Sequence, residues 1–153
     1  MKNLHLTAFL ILSIAIGSKA SAQKEEAGIK AAVNHLFEGM KKADTALLRS
    51  AFASQPVMQT IVKNKEGKTI VITEPLDSFI VSVGRPHSVV YDERISIDLI
   101  RIDGDLAIVW APYKFYLGDK FSHCGVDCFQ LVKLNGEWKI QYLIDTRRQQ
   151  GCE

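Results

Sequence analysis

The spacing of apolar positions places helices mostly ahead of a β-rich C-terminal half. Ile29, Val33, Leu36, Phe37 and Met40 recur at helical spacing and predict an amphipathic helix over 25–43, interrupted by Gly39 at some cost in propensity. Asp44 stands where an N-cap belongs, ahead of a short helix over 45–53 that buries Leu47, Leu48 and Phe52 before Gln55-Pro56 stops it. Residues 57–63 and 69–73 read as a hairpin around the polar loop Asn64–Lys68. Thr73-Glu74-Pro75 opens another helix, which runs to about Val83 and ends at Gly84-Arg85-Pro86. From Val89 on the pattern is β, with strands over 89–102, 106–117, 121–134 and 138–147. Asp103-Gly104, Gly118-Asp119 and Asn135-Gly136 join them as tight hairpin turns. Helices segregated from an antiparallel meander give an α+β class.

Tight turns fix register, so the sequence also predicts which side chains share a face. Taken as two-residue loops, the three turns put Leu99, Ile108, Phe129 and Tyr142 in one row and Ile97, Trp110, Asp127 and Ile144 in the next. Ile95, Pro112, Gly125 and Thr146 follow, then Glu93, Lys114, His123 and Arg148 at the open end. Val109, Tyr113, Phe115, Cys124, Cys128 and Arg147 fall on the opposite face. Pro112 warns of a bulge or an edge, because proline in a central strand has no N–H for the ladder.

The first residues change the reading of everything after them. Lys2 precedes an apolar run from Leu4 to Ile16, and Ala20-Ser21-Ala22 follows as a small-residue cleavage site. A membrane anchor is the competing reading, but the run falls short of the ~20 residues a bilayer needs. Residues 1–22 are therefore expected to be a cleavable signal peptide, leaving 131 of the 153 residues, 23–153, as one exported domain, periplasmic or secreted. Removing Lys2 and Lys19 takes the 19 basic residues to 17, against 17 acidic ones. A near-neutral chain lacks the basic surface that nucleic acid or an anionic membrane requires.

In an oxidising compartment Cys124, Cys128 and Cys152 imply one bridge and one leftover thiol. Cys124 and Cys128 lie four apart on one strand, roughly 13 Å between Cα atoms and too far to bridge. The expected pair is Cys124–Cys152, a staple pinning the tail to the sheet, with Cys128 left as a buried thiol. Zinc ligation with His123 is a weaker alternative, since the spacing offers no second close pair.

The order of elements resembles the nuclear-transport-factor-2-like superfamily, the cone-shaped α+β fold shared with SnoaL-like cyclases and ketosteroid isomerases. The resemblance is closest to small exported bacterial members. It rests on Gly104-Asp105-Leu106-Ala107, Val109-Trp110-Ala111-Pro112-Tyr113, Phe121-Ser122-His123-Cys124-Gly125-Val126-Asp127, Gly136-Glu137-Trp138-Lys139-Ile140 and Asp145-Thr146-Arg147-Arg148, closed by Gly151-Cys152. It implies a deep pocket between the concave sheet and the helices, and no particular reaction. The catalytic tyrosine and aspartate of the ketosteroid isomerases find no matching motif here.

Asp127 is the first residue to test. A carboxyl among Ile97, Trp110 and Ile144 would be desolvated and its pKa raised, as a general acid or base requires. The plainer reading makes it a structural acceptor for Thr146, a tryptophan N–H or the Arg147-Arg148 segment. His123 sits two rows from Asp127, ~7 Å between Cα atoms, where the two can handle a proton or the histidine can stand exposed at a strand end. Glu93, Lys114 and Arg148 make a charged rim, and Trp110, Tyr116, Phe129, Trp138 and Tyr142 are the aromatics of this face. Two functions follow. One is a non-catalytic pocket domain that binds a small, mostly apolar molecule or assists a partner or dimer mate. Its ligand would touch Trp110, Tyr116, Phe129, Tyr142, Lys114 and Arg148. The other is a cofactor-independent, isomerase- or dehydratase-like enzyme using Asp127 and His123. Neither reading calls for a cofactor.

Overall fold

A computed structural model describes residues 4–152, with side chains from residue 21 onward. Side chains of residues 1–20, most of the expected leader over 1–22, lie outside the described ones. Helix α1 (Leu4–Lys42) and helix α2 (Thr45–Ser50) come first. Asp44 caps α2 as the sequence predicts, its Oδ1 accepting from the N–H groups of Ala46 at 3.1 Å and Leu47 at 2.9 Å. Strands β1 (Phe52–Lys63) and β2 (Thr69–Thr73) form the expected hairpin, and α3 (Leu76–Gly84) follows. Strands β3 (Tyr91–Ile95), β4 (Leu99–Asp103), β5 (Leu106–Leu117), β6 (Lys120–Leu134) and β7 (Glu137–Thr146) complete the α+β fold.

The sheet runs β2-β1-β7-β6-β5-β3, with β4 also on β5. Its C-terminal part is the predicted antiparallel meander, but β1 joins β7 in parallel, from Phe52 opposite Ile140 to Ile61 opposite Thr146. That pairing extends β1 back to Phe52 and cuts the second helix short of the expected residue 53, because Phe52 buries its side chain from a strand. The strand expected over 89–102 is two strands. β3 and β4 pair with different ends of β5, separated by Ser96–Asp98.

The apolar face of α1 packs into the sheet. Ile29, Val33, Leu36, Phe37 and Met40 are all buried with Leu131, Ile140 and Trp138, and Phe37 meets Phe129 edge-on at 6.2 Å. Gly39 has a packing role that offsets its low helix propensity. A Cβ there would come within 2.7 Å of the Leu48 backbone nitrogen, so only glycine lets α2 cross α1 this closely.

Register is where the structure departs furthest from expectation. Leu117 does pair with Lys120 across the predicted turn, and Leu134 with Glu137 across the next. Each hairpin then takes in one extra residue. Phe115 pairs with His123 while Tyr116 pairs with Phe121, leaving Ser122 as a bulge, and Gln130 pairs with Tyr142 while Leu131 pairs with Ile140, leaving Gln141. A one-residue slip turns every later side chain to the other face. Asp127 therefore lies opposite Ala111 and Asp145, and Trp110 lies opposite Cys128. The first turn is also displaced, with Asp103 and Leu106 flanking Gly104-Asp105, but a shift of two preserves the face.

Candidate functional site

Inward positions of the strands and one side of α1 and α3 enclose a cavity of about 240 Å³. Leu36, Phe37 and Met40 of α1, Phe79 and Val83 of α3, and Met58, Phe115 and Leu143 of the sheet make its apolar wall. The opposite wall is ionisable and carries Glu93, Tyr113, His123, Asp127, Asp145 and Arg147. An apolar cavity with a few convergent polar groups is the usual form of a small-molecule site.

Asp127 is at the centre of the polar wall. It is 4 % exposed, and its Oδ2 meets no hydrogen-bond donor of the protein. Burial raises its pKa well above the ordinary aspartate value, and the charges of Glu93 and Asp145 push it further. Glu93 keeps some exposure as a residue, but burial of its carboxyl pushes its pKa up to about 7. The two carboxyls lie within hydrogen-bonding reach of each other, so they titrate as a pair.

Asp145 is the better compensated acid. The Tyr113 hydroxyl donates to its Oδ2 at 3.1 Å and to the Thr146 carbonyl at 3.0 Å, and the Arg147 guanidinium stands 3.8 Å from the same carboxylate. Gly125 makes this possible. Tyr113 and Gly125 are cross-strand partners, and a Cβ on Gly125 would fall 1.7 Å from the Thr146 carbonyl oxygen and 2.7 Å from the tyrosine ring. The tyrosine thus lies across a bare stretch of β6 to reach β7. His123 packs edge-on to Tyr113 and tilted against Phe115, with its Nδ1 3.0 Å from the Ser122 hydroxyl. Desolvation first, and Arg147 second, lower its pKa, which leaves the imidazole neutral at neutral pH.

The sequence correctly assigns Asp127, His123 and Glu93 to one face, but it surrounds them with the wrong neighbours. The partner of Asp127 is Glu93 rather than His123, and Glu93 belongs to the cavity wall rather than an outer rim. Asp145, Tyr113 and Arg147 are the site residues that sequence reasoning missed. The signal was an acid embedded in an apolar strand, Leu143-Ile144-Asp145, hidden by the bulge at Gln141.

Of the expected ligand contacts, none reaches this cavity. Phe129 is fully buried in the core. Trp110 is 46 % exposed on the convex face because of the Ser122 bulge. Tyr142 shares that face through its pairing with Gln130, and its hydroxyl donates to Gln59 Oε1 at 2.6 Å. Lys114, Tyr116 and Arg148 gather instead at a separate convex depression. The expected Cys124–Cys152 bridge is present, which takes Cys124 out of any zinc set, while Cys128 is free and half-buried rather than buried. Among the described residues no helix is long and apolar enough to cross a membrane.

Comparison with known proteins agrees with this architecture. Residues 24–142 match the model of the family described as "Putative lumazine-binding". No curated protein matches the chain. Solved structures do. An NTF2-like protein of unknown function from Shewanella baltica shares 22 % identity over 82 % of this chain and 94 % of its own, with a TM-score of 0.62. Another from Silicibacter pomeroyi shares 17 % over 83 % and 98 %, with a TM-score of 0.65. A function-unknown protein from Mycobacterium tuberculosis shares 18 % over 88 % and 78 %, with a TM-score of 0.70. The chain belongs to the family described as "Putative lumazine-binding", and its fold is that of the NTF2-like structures.

Proposed function

We propose that the chain is an exported pocket domain, residues 23–153 after loss of a signal peptide over 1–22, which binds a small, mostly apolar molecule without transforming it. The observation that carries this reading is one cavity whose apolar wall faces a buried carboxyl pair, Asp127 and Glu93, with pKa values that burial raises. A pair that holds one proton offers a donor beside an acceptor. That edge complements a lactam or imide, whose N–H and C=O stand side by side, and the apolar wall receives the rest of a flat ring. The family's description fits such a ligand. The bridge between Cys124 and Cys152 is consistent with an oxidising compartment.

Lumazine itself is the first probe. In a ¹⁵N-resolved NMR titration, saturable shifts are expected at Val83, Phe115, Asp127 and Leu143. Shifts confined to the convex face, or none, would overturn the assignment.

The enzyme reading retains one specific support, the buried carboxyl of Asp127, whose pKa burial raises. Its catalytic pair would be Asp127 with Glu93, since His123 turns to Ser122. Direct titration of the carboxyl carbons separates the readings' common ground from error. An Asp127 that ionises near the ordinary aspartate value removes the enzyme altogether.

A further inference from the structure

The convex face carries a second concavity, of about 330 Å³, beside the disulfide. Its floor is a row of directly paired positions across four segments of chain. Arg94 lies opposite Lys114, Lys114 opposite Cys124, and Cys124 opposite Arg148. Paired positions project to the same side of a sheet, so three cations and one bridged sulfur share this row. Like charges directly opposite each other are destabilising, and Arg94 and Lys114 are such a pair.

The acids nearby do not neutralise the row. Among the described residues Asp92 is the one carboxylate in contact with it, 2.8 Å from Arg94 Nε, and it is shared with Lys41 at 2.9 Å. Among the described residues Lys114 and Arg148 have no carboxylate within ion-pair distance. The row is also built rather than loose. Arg94 is set over the Tyr116 ring at 4.1 Å. Arg148 exchanges both backbone hydrogen bonds with Cys124 at 2.9 Å, its Nε donates to the Gly151 carbonyl, and the Cys124–Cys152 bridge closes the tail around it.

We propose that this depression is a second ligand site, for a small molecule bearing a phosphate-type dianion, gripped by Arg94, Lys114 and Arg148. Guanidinium forks match the oxygens of such a group, and the ammonium supplies a third point of charge. Lys114 stands one strand spacing from Arg94, ~5 Å, and two from Arg148, ~10 Å, a span that three long side chains close around one tetrahedral group. The disulfide is a positioning element, because it fixes the tail that presents Arg148. This site is independent of the cavity and of the ligand proposed for it.

Phenyl phosphate titrated at constant ionic strength tests the site, read by ¹⁵N shifts and calorimetry on the oxidised protein. Saturable binding is expected, with shifts at Lys114, Gly125 and Arg148 and none at Val83 or Leu143. Lys114→Gln and Arg148→Gln should each weaken it about tenfold, the loss of one charge-assisted contact. Lys63→Gln, remote on β1, should leave it unchanged. Cys152→Ser should weaken binding while Lys114 still shifts, because the staple only positions Arg148. Binding that stays the same in both charge variants, or shifts that scale linearly with phosphate at every lysine and arginine, would overturn the site. Both substituted side chains are exposed, so a folding failure is not expected. Unaltered amide spectra away from the row verify that each variant is folded.

Discussion

The two faces of this sheet are built from the same strands and differ in almost every property that matters for binding. Along β5, Ala107, Val109, Ala111 and Tyr113 are buried, while Leu106, Ile108, Trp110 and Lys114 alternate with them in solvent. The concave side holds four carboxyls, those of Glu74, Glu93, Asp127 and Asp145, against one guanidinium, and desolvation raises the pKa of Asp127 and Glu93. The convex side holds its cations in the open, where solvent screens them and an anion can approach. A displacement of one residue decides which chemistry a side chain joins. The bulges at Ser122 and Gln141 therefore set the chemistry of each face, since they put Asp127 and Asp145 indoors and Trp110 outdoors.

The strongest break of this comparison is a matched pair of truncations. Phe129→Ala removes a fully buried ring that meets Phe37 and should cost about 3–5 kcal/mol in denaturant unfolding. Trp110→Ala removes a larger ring from the convex face and should cost no more than about 1 kcal/mol. Equal costs would mean that the convex face is covered in solution, as a dimer would cover it. Gly125→Ala should come close to the first of these at about 3 kcal/mol or more, because its Cβ meets the Thr146 carbonyl oxygen, which cannot move without unpairing β7. It should also release Tyr113 from Asp145, read as a change in tyrosine fluorescence. A stable Gly125→Ala would show that β6 and β7 are spaced more widely at this level.

How much of this was legible beforehand depends on what each feature needs. Helix α1, the Asp44 cap and the C-terminal meander follow from local periodicity and turn chemistry, and all stand. The disulfide followed from strand geometry, because residues four apart on a strand cannot meet. The parallel seating of β1 on β7 was not legible, since no local pattern distinguishes it from an edge hairpin. Nor were the bulges, because an extra residue leaves apolar alternation almost intact. Asp127 and His123 kept their face, as both lie on β6 together. Trp110, Lys114 and Tyr142 changed theirs, as each was placed by counting across a bulge.

The staple separates the faces on a smaller scale. Cys152→Ser opens a bridge of 28 residues' separation and should cost about 2–4 kcal/mol, the range for a loop of that size. The loss should appear as faster amide exchange at Cys124 and Arg148, whose backbone pairing the bridge supports. Exchange at Asp127 and Leu143 should follow global unfolding only. If the cavity amides exchange as fast as the tail, the bridge supports both faces and the comparison weakens.

The smallest expected effect is electrostatic and carries a sign. An unfolded glutamate titrates near 4.5, whereas Glu93 in the fold titrates at about 7, with burial as the main cause, the Asp127 contact opposing it and Asp145 adding to it. Between these values the folded protein holds a proton that the unfolded chain has released, so stability falls as pH rises. The contribution is complete below 4.5 and gone above about 7. Its size is on the order of 2–3 kcal/mol, reduced because Glu93 and Asp127 titrate as a pair. Glu93→Gln should flatten this slope in unfolding measured from pH 4.5 to 8, leaving only the part that Asp127 carries against Asp145 and Arg147. Lys114→Gln, on the other face, should leave the slope as it is. A Glu93→Gln protein with the wild-type slope would place that carboxyl in water, and the cavity would then lack the proton that distinguishes it from the convex face.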